Sequence, residues 1–217
     1  IFVYPILAIF FSFHYTKKRE ELFYMVKGNQ QKILDAFYDL AMQNPNEANL
    51  SMSDLAKKAG ISRQAIYKHH FNSVDDIIES IHESIDKPVY EAFLEYNTLT
   101  NKDPFLFIAD NIFPILYENR KWLKMLYSSS TDPYWTNYLK KIYTKWALEN
   151  IKPNQSLVDL PDDFIISLLV HYVIANIEVW IAQEKPLPPQ VFKEKFLTLV
   201  HSSLDQYISL DKDNHID

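Results

Sequence analysis

The sequence contains only two glycines among its 217 residues, Gly28 and Gly60. Dinucleotide-binding folds, phosphate-binding loops and tight β-hairpins need glycine, because their backbones adopt positive φ angles or approach other groups closely. The scarcity of glycine therefore indicates helices joined by turns of Pro, Asn, Asp and Ser. The chain also has no cysteine, which excludes disulfides and thiolate metal sites and fits the reducing cytoplasm that we expect as its location.

Apolar residues recur at three- and four-residue spacing along the chain, which is the period of an amphipathic helix. No segment combines sustained alternation with hairpin turns, so the sequence predicts an all-α protein. Hydrophobic residues make up 47% of the chain, enough for a sizeable core. After a first helical stripe ending at residue 44, we predict a long helix over 74–96 that Pro88 can bend. Further helices are predicted over 104–118, 120–128, 132–150, 162–184 and 189–208.

Residues 1–13 form an apolar run that is followed by basic residues at 17–19. The run is shorter than the roughly 20 residues of a membrane-spanning helix, and a secretory signal would carry its basic residues before the apolar core. The first methionine is Met25. We interpret residues 1–24 as an apolar extension outside the native fold; the alternative is a membrane-peripheral anchor.

Residues 51–77 have the spacing of two short helices joined by a sharp turn. Ser51 and Ser62 are placed to cap the helices, and Gly60 can end the first helix in a left-handed conformation. Ala56 is small enough for the point where two helices cross. These features predict a helix-turn-helix.

The second of these helices carries side chains that suit DNA on the face opposite Ile66. Arginine and lysine pair with guanine, glutamine pairs with adenine, and tyrosine and lysine contact phosphates. The predicted DNA-binding residues are Ser51, Ser62, Arg63, Gln64, Tyr67, Lys68 and His69. The alternative is an ordinary helical hairpin with a solvated polar face.

The net charge of −6 is unevenly distributed. Residues 27–72 carry six Lys/Arg and four Asp/Glu, whereas residues 73–217 carry 13 and 22. The simplest interpretation is a phosphate-facing module attached to an acidic body. Chance unevenness is the alternative.

These motifs in combination resemble the N-terminal domain of tetracycline-repressor-like (TetR) family regulators, over roughly residues 29–80. The family pattern is Asp-Ile-Ala, Ala-Gly-Val-Ser, Tyr-x-x-Phe and Ser-Lys-Glu-Glu-Leu. This chain reads Asp54-Leu55-Ala56, Ala59-Gly60-Ile61-Ser62, Tyr67 with Phe71, and Ser73-Val74-Asp75-Asp76-Ile77. The resemblance implies an N-terminal three-helix helix-turn-helix DNA-binding domain over 25–73. It also implies a C-terminal helical bundle over 74–217 that binds an effector and dimerises.

Two positions depart from the family pattern. Three residues separate Tyr67 from Phe71 where the family has two, which we expect to lengthen the turn after the second helix. Val74 replaces the usual lysine, so one phosphate contact is absent. Weaker nonspecific affinity or an altered pose on DNA would follow.

The resemblance implies a homodimeric repressor that binds a double-stranded DNA operator, needs no cofactor, does not involve a membrane and is released by a small-molecule effector. The alternative is a co-regulator that acts through a protein partner and binds DNA weakly. Polar-tipped residues expected to face inward predict an effector site of Trp122, Tyr143, His171 and Asn176. Apolar residues on the last two helices predict a dimer interface of Leu168, Tyr172, Trp180, Val200 and Leu204.

An enzymatic interpretation rests on Asp75, Asp76 and Glu79, which have the spacing of a magnesium-diphosphate motif. Acidic residues in a first helical turn are already favoured by the helix dipole, and no second motif of this kind faces them. We interpret His82 as a core or pocket-lining residue. The prediction is therefore a non-enzyme without catalytic or metal-binding residues.

Overall fold

The computed structural model describes residues 27–46, 50–96, 103–156 and 159–208. Every regular element within those ranges is helical, which confirms the all-α prediction. The elements are α1 (Lys27–Gln43), α2 (Met52–Ala59), α3 (Arg63–His69), α4 (Val74–Leu94), α5 (Pro104–Phe107), a π-helical turn (Ile108–Ile112), α6 (Phe113–Glu118), α7 (Arg120–Ser128), α8 (Trp135–Asn150), α9 (Asp162–Ala182), α10 (Pro189–His201) and a 3-10 turn (Leu204–Tyr207). The prediction for residues 1–24 lies outside the described residues.

The chain divides into two compact units, and the boundary falls after Ile78. The division lies inside α4, about one turn beyond the boundary at 73/74 that the sequence suggests. Helix α4 is continuous through Pro88. One helix therefore belongs to both units of the chain.

The first unit is held by a small apolar core of α1, α2 and α3. Ile33, Phe37, Leu55 and Ile66 are each at most 1% exposed. Burying a side chain of this size contributes about 1.5–3 kcal/mol. The extra residue before Phe71 lies in the turn after α3. There the Ile66 carbonyl accepts hydrogen bonds from the N–H groups of His70 and Phe71, at 2.9 and 3.2 Å. Phe71 consequently remains buried.

Several helices in the second unit begin or end at residues other than the predicted ones, because side chains or prolines interrupt the backbone hydrogen bonds there. The expected helix over 132–150 begins only at Trp135, because the Asp132 carboxylate accepts from the N–H groups of Tyr134 and Trp135, each at 3.1 Å. Helix α9 ends at Ala182 and α10 at His201, and the segment before residue 208 is a 3-10 turn.

The expected helix over 104–118 contains a π-helical turn at Ile108–Ile112. Pro114 has no N–H, so the Asp110 carbonyl has no backbone donor at the usual i+4 position. Phe113 instead donates its N–H to the Ile108 carbonyl, five residues back. The adjacent residues Ile112 and Phe113 are both buried as a result.

An aromatic cluster fills the core between α6, α9 and α10. The Trp180 ring stacks on Phe192 with centroids 4.3 Å apart, and Phe113 and Phe196 are fully buried beside them. The Trp180 Nε1–H donates to the Leu187 carbonyl at 2.9 Å. Trp180 is only 3% exposed, so its predicted place in a dimer interface is wrong. It packs within its own chain because α9 is apolar on several faces.

Candidate functional site

The turn between α2 and α3 is built by local hydrogen bonds. The Ser51 hydroxyl accepts from the Asp54 N–H at 3.1 Å and donates to the Asp54 carboxylate at 2.6 Å. Gly60 has φ of 68°, the left-handed conformation that glycine adopts most readily. The Ser62 hydroxyl then accepts from the Ala65 N–H at 3.2 Å and starts α3. These contacts confirm the predicted caps and turn.

One face of α3 is buried and the other is polar and exposed. Ile66 is fully buried, whereas Arg63, Gln64 and Lys68 are exposed and Tyr67 is 40% exposed. Arg63 Nη2 donates to the Tyr67 hydroxyl at 3.4 Å, and the guanidinium carbon lies 5.8 Å from the ring centroid. The predicted DNA-binding residues of α3 thus share one solvent-facing surface, except that the side chain of His69 is outside what the structure describes.

One of the acidic residues at the start of α4, Asp76, has a structural role. The Asp76 carboxylate accepts from the Asn72 N–H at 3.0 Å, from Asn72 Nδ2 at 2.9 Å and from the Ser73 hydroxyl at 3.0 Å. Such bonds cap a helix start. Among the residues that the structure describes, no group of three or more His, Asp or Glu side chains is arranged to hold a metal ion.

The second unit encloses a cavity of about 450 Å³, with walls from α4 to α9. This volume is within the range of pockets for small organic ligands. The lining is largely apolar, and seven aromatic residues contribute to it: Phe93, Tyr96, Phe105, Tyr127, Trp135, Tyr143 and Trp146. Tyr143 is the one residue of the predicted effector site on this wall.

The other three predicted effector residues lie elsewhere, which corrects the prediction. His171 is exposed on α9. Asn176 donates its amide to the Tyr172 carbonyl of its own helix at 2.8 Å, and Trp122 stands beside the Lys121 ammonium, 5.0 Å from the ring centroid. Helical periodicity shows that a residue lies on a given face but not which neighbour that face meets, so it could not separate cavity wall from surface.

Asp86 lines the cavity and was not predicted. It is the one acidic residue among the described residues that form the wall. Burial raises the pKa of its carboxyl from 3.8 to about 7. The sequence contains a signal for it, because Asp86 falls on the α4 stripe of His82, Val89 and Phe93, at spacings of four, three and seven residues.

The phenols near Asp86 are held in the neutral state. Burial, and secondarily the negative charge of nearby groups including Asp86, raises the pKa of Tyr127 and of Tyr143 above the ordinary value. Both hydroxyls therefore keep their protons at neutral pH. Within the described part of the chain, neither hydroxyl forms a hydrogen bond to the protein.

His82 packs in the second unit as the sequence suggested. Its ring stacks on Trp135 with centroids 5.7 Å apart, and Nε2 lies 3.5 Å from an Asp132 carboxylate oxygen without forming a hydrogen bond. Burial lowers the pKa of His82 by more than the Asp132 charge raises it. The ring is therefore neutral at physiological pH.

Helix α9 exposes an apolar stripe on the side away from the cavity. Its exposed members are Phe164, Leu168, His171, Ala175 and Val179. By length and composition alone, the helix is long and apolar enough to cross a membrane. About a third of its most apolar 18 residues are buried in the protein. A core or interface helix passes the same test, so this observation does not assign it to a membrane.

The predicted dimer residues divide by exposure. Leu168 and Leu204 are 60% and 65% exposed, whereas Tyr172 and Val200 are partly buried. The Tyr172 hydroxyl donates to the Leu199 carbonyl at 3.1 Å, which ties α9 to α10. Leu168 lies on the exposed stripe.

Two capped helices joined by a sharp turn, with a polar and exposed second helix, form the arrangement of helix-turn-helix DNA-binding proteins. Residues 33–81 match the family model described as "Bacterial regulatory proteins, tetR family". Residues 103–202 match the model described as "Transcriptional regulator C-terminal region". The chain belongs to the TetR family of DNA-binding transcriptional regulators.

Two HTH-type transcriptional regulators are similar to the chain in sequence. The chain is 27% identical over 198 residues to the HTH-type transcriptional regulator SAR0097 of Staphylococcus aureus, covering 84% of this chain and 95% of that protein. It is 22% identical over 160 residues to the uncharacterized HTH-type transcriptional regulator YxbF of Bacillus subtilis, covering 70% of this chain but only 40% of that protein.

Two solved structures were also matched by the chain. A TetR transcriptional regulator from Streptococcus agalactiae 2603V has 18% identity and a TM-score of 0.48, over 84% of this chain and 97% of that one. The dihydroxyacetone kinase operon activator DhaS has 19% identity and a TM-score of 0.43, over 81% and 95%.

Proposed function

We propose that this protein is a ligand-responsive repressor, which binds a pseudo-palindromic operator as a homodimer and releases it when a small molecule occupies the cavity. The observation that carries this proposal is the exposed face of α3, where Arg63, Gln64, Tyr67 and Lys68 stand opposite the buried Ile66. A helix of this kind suits the major groove, because its polar side chains can reach base edges and phosphates together.

Each side chain of that face has a distinct role in the proposal. Arg63 pairs with a guanine and Gln64 with an adenine, while Lys68 and Tyr67 contact phosphates. The contact between Arg63 and Tyr67 limits the rotamers of both, so less freedom is lost when they bind. Because the Ser62 oxygen accepts from the backbone, its own hydrogen can be donated to a phosphate.

A dimer explains how a weakly basic helix-turn-helix domain could bind DNA tightly enough. When two DNA-binding domains are linked, their binding free energies combine at half-sites about one DNA turn apart, so the affinity of the dimer greatly exceeds that of either domain. The α9 stripe supports this arrangement, since Phe164, Leu168 and Val179 are 54%, 60% and 64% exposed. Burying these side chains against a second copy removes them from water.

Ligand release needs a different ligand affinity for the DNA-bound and DNA-free conformations. Helix α4 supports such coupling, because it follows the helix-turn-helix in the chain and contributes Ile85, Val89 and Phe93 to the cavity wall. A ligand that packs against this helix can favour one of its positions over another.

A second function, a co-regulator acting through a protein partner, is favoured by one observation. Val74, at the first position of α4, replaces the lysine that gives TetR regulators a phosphate contact. Nonspecific affinity for DNA is then lower. The two functions differ in whether the chain alone binds its operator.

Fluorescence anisotropy with duplexes from the DNA upstream of the chain's own reading frame tests the proposal. A repressor binds one duplex with nanomolar affinity and prefers it to scrambled DNA by at least about 1,000-fold. A reporter gene behind that duplex is expressed more strongly when the regulator is deleted. Lower expression on deletion would instead identify an activator, and equal affinity for all duplexes would favour the co-regulator.

A further inference from the structure

The cavity of the second unit contains an acidic group without a partner. The Asp86 carboxylate forms no hydrogen bond and no ion pair with any residue that the structure describes, although it is largely buried. Burying an ionised carboxylate without compensation is costly, and proteins normally pair such groups. A wall that retains this carboxylate needs a reason other than folding.

The surroundings of Asp86 are aromatic. Tyr127 from α7 and Tyr138 and Tyr143 from α8 are close enough for the Asp86 charge to act on their phenols. Tyr127 packs on Trp135 with centroids 5.1 Å apart. Aromatic faces attract cations through their quadrupole, most strongly where water is excluded.

The other groups near Asp86 add no fixed positive charge. On its own helix, His82 is neutral and Glu79 is acidic, and from α9 Glu178 acts on Tyr127. The one basic residue among the described residues of the wall is Lys152, which is exposed. The part of the cavity beside Asp86 is therefore suited to positive charge, and its neutral phenols can orient a ligand.

We propose that the cavity binds an organic monocation, an ammonium group joined to an apolar or aromatic body, with the charge against Asp86 and the body among the aromatic side chains. This inference rests on the proposed function in one respect only, that the cavity is the effector site. Ligand binding and DNA release are measured separately below, so that each can fail without the other.

The experiment compares three probes of similar shape: the cation biphenylmethyl-trimethylammonium, its uncharged carbon isostere neopentylbiphenyl, and the anion biphenylacetate. Trp135 and Trp146 line the cavity, so quenching of intrinsic fluorescence reports binding. We expect the ammonium to bind the native chain at least 10-fold more tightly than the neutral isostere. Equal or tighter binding of the neutral or anionic probe, or no binding of any probe, overturns the proposal.

Two variants locate the charge effect. Asp86→Asn keeps the shape of the side chain and should abolish the preference for the cation while the affinity of the neutral probe stays unchanged. Glu178→Gln removes an acid that is near Tyr127 but not on the cavity wall, and should keep the preference. An equal loss of both probes in Asp86→Asn would mean that Asp86 only supports the wall, and would overturn the proposal.

Affinity measured against pH gives a second readout. A bound cation favours the ionised carboxylate, so protonation of Asp86, whose pKa is raised to about 7 by burial, competes with binding. The affinity for the ammonium should fall as the pH is lowered from 8 to 5, by up to about 10-fold per unit below the pKa. A quaternary ammonium does not titrate, and a flat profile would contradict a contact with Asp86.

Operator release separates the inference from the proposed function. If the ammonium binds through Asp86 but leaves the operator complex intact, the ligand class stands and the effector role fails. If a neutral or anionic compound releases the operator and the ammonium is not preferred, the effector role stands and the ligand class is wrong.

Discussion

The proposed DNA-binding helix α3 and the cavity wall of the second unit place their candidate functional residues by opposite rules. Helix α3 has seven residues, and Arg63, Gln64, Tyr67 and Lys68, which we propose contact DNA, are exposed on the side away from the core. The cavity wall takes one or a few inward residues from each of several helices, between Ile85 and Ile177. A function on the outside of one helix follows from local periodicity, whereas a function on the inside of several helices depends on how they pack.

The largest expected effect tests whether the outside of α9 also has a function. Leu168→Glu puts a charge on the exposed stripe and should produce a folded monomer, because a buried unpaired charge disfavours the interface. Operator affinity should fall about 100-fold or more, since the second half-site is lost. Sedimentation and anisotropy measure the two effects.

Leu148→Glu is the matched control for this prediction. Leu148 is 43% exposed on α8 and does not belong to the stripe. This variant should remain dimeric. A native chain that sediments as a monomer at micromolar concentration would contradict the dimeric repressor.

The next effect concerns the inside of the cavity. Burial raises the pKa of Asp86 from 3.8 to about 7, so the folded chain holds this proton more tightly than the unfolded chain, and stability is lost as the pH rises between those values. Asp86→Asn should therefore stabilise the protein by about 2–4 kcal/mol at pH 8. Urea unfolding at pH 8 and pH 5 measures the unfolding free energies of the variant and the native chain. The stabilisation by Asp86→Asn should be less than half as large at pH 5 as at pH 8. A stabilisation that does not depend on pH would contradict the assigned burial of Asp86.

Smaller effects on DNA affinity are expected for substitutions on the exposed face of α3. Arg63→Ala should cost about 1–3 kcal/mol on the operator and relax the preference at one base pair per half-site, because a bidentate base contact is lost. Lys68→Ala should weaken binding to all sequences and reduce the salt slope by about 1. If the loss in Arg63→Ala is equal on operator and scrambled DNA, Arg63 contacts phosphate instead.

The smallest effect tests the turn itself. A Cβ added at Gly60 would meet no atom within 4 Å, so Gly60→Ala changes only the backbone preference. We expect a loss of about 1 kcal/mol in unfolding free energy, and a smaller loss for Gly60→Asn, because asparagine tolerates the left-handed region. Thermal unfolding distinguishes the two variants, and equal losses would mean that the strain is not in φ.

The same contrast explains what the sequence could predict. Ser51, Ser62 and Gly60 were identified because caps and turns depend on residues a few positions apart. Trp180 was misplaced because α9 is apolar on several faces, so its pattern does not distinguish a core side from a partner side. Asp86 was missed because a single carboxylate on an inward stripe acquires a meaning only when the helices that surround it are known.

The π-helical turn at Ile108–Ile112 affects how this chain is compared with its relatives. A π turn holds about one residue more than an α-helical turn, so the residues after it are displaced by about 100° around the helix axis from where an uninterrupted α-helix of the same sequence would place them. A homologue without the turn would place the position aligned with Leu116 on a different side of its helix. In a gap-free alignment with such a homologue, identical residues after the turn would occupy different points around the helix and would present a different surface at the cavity wall.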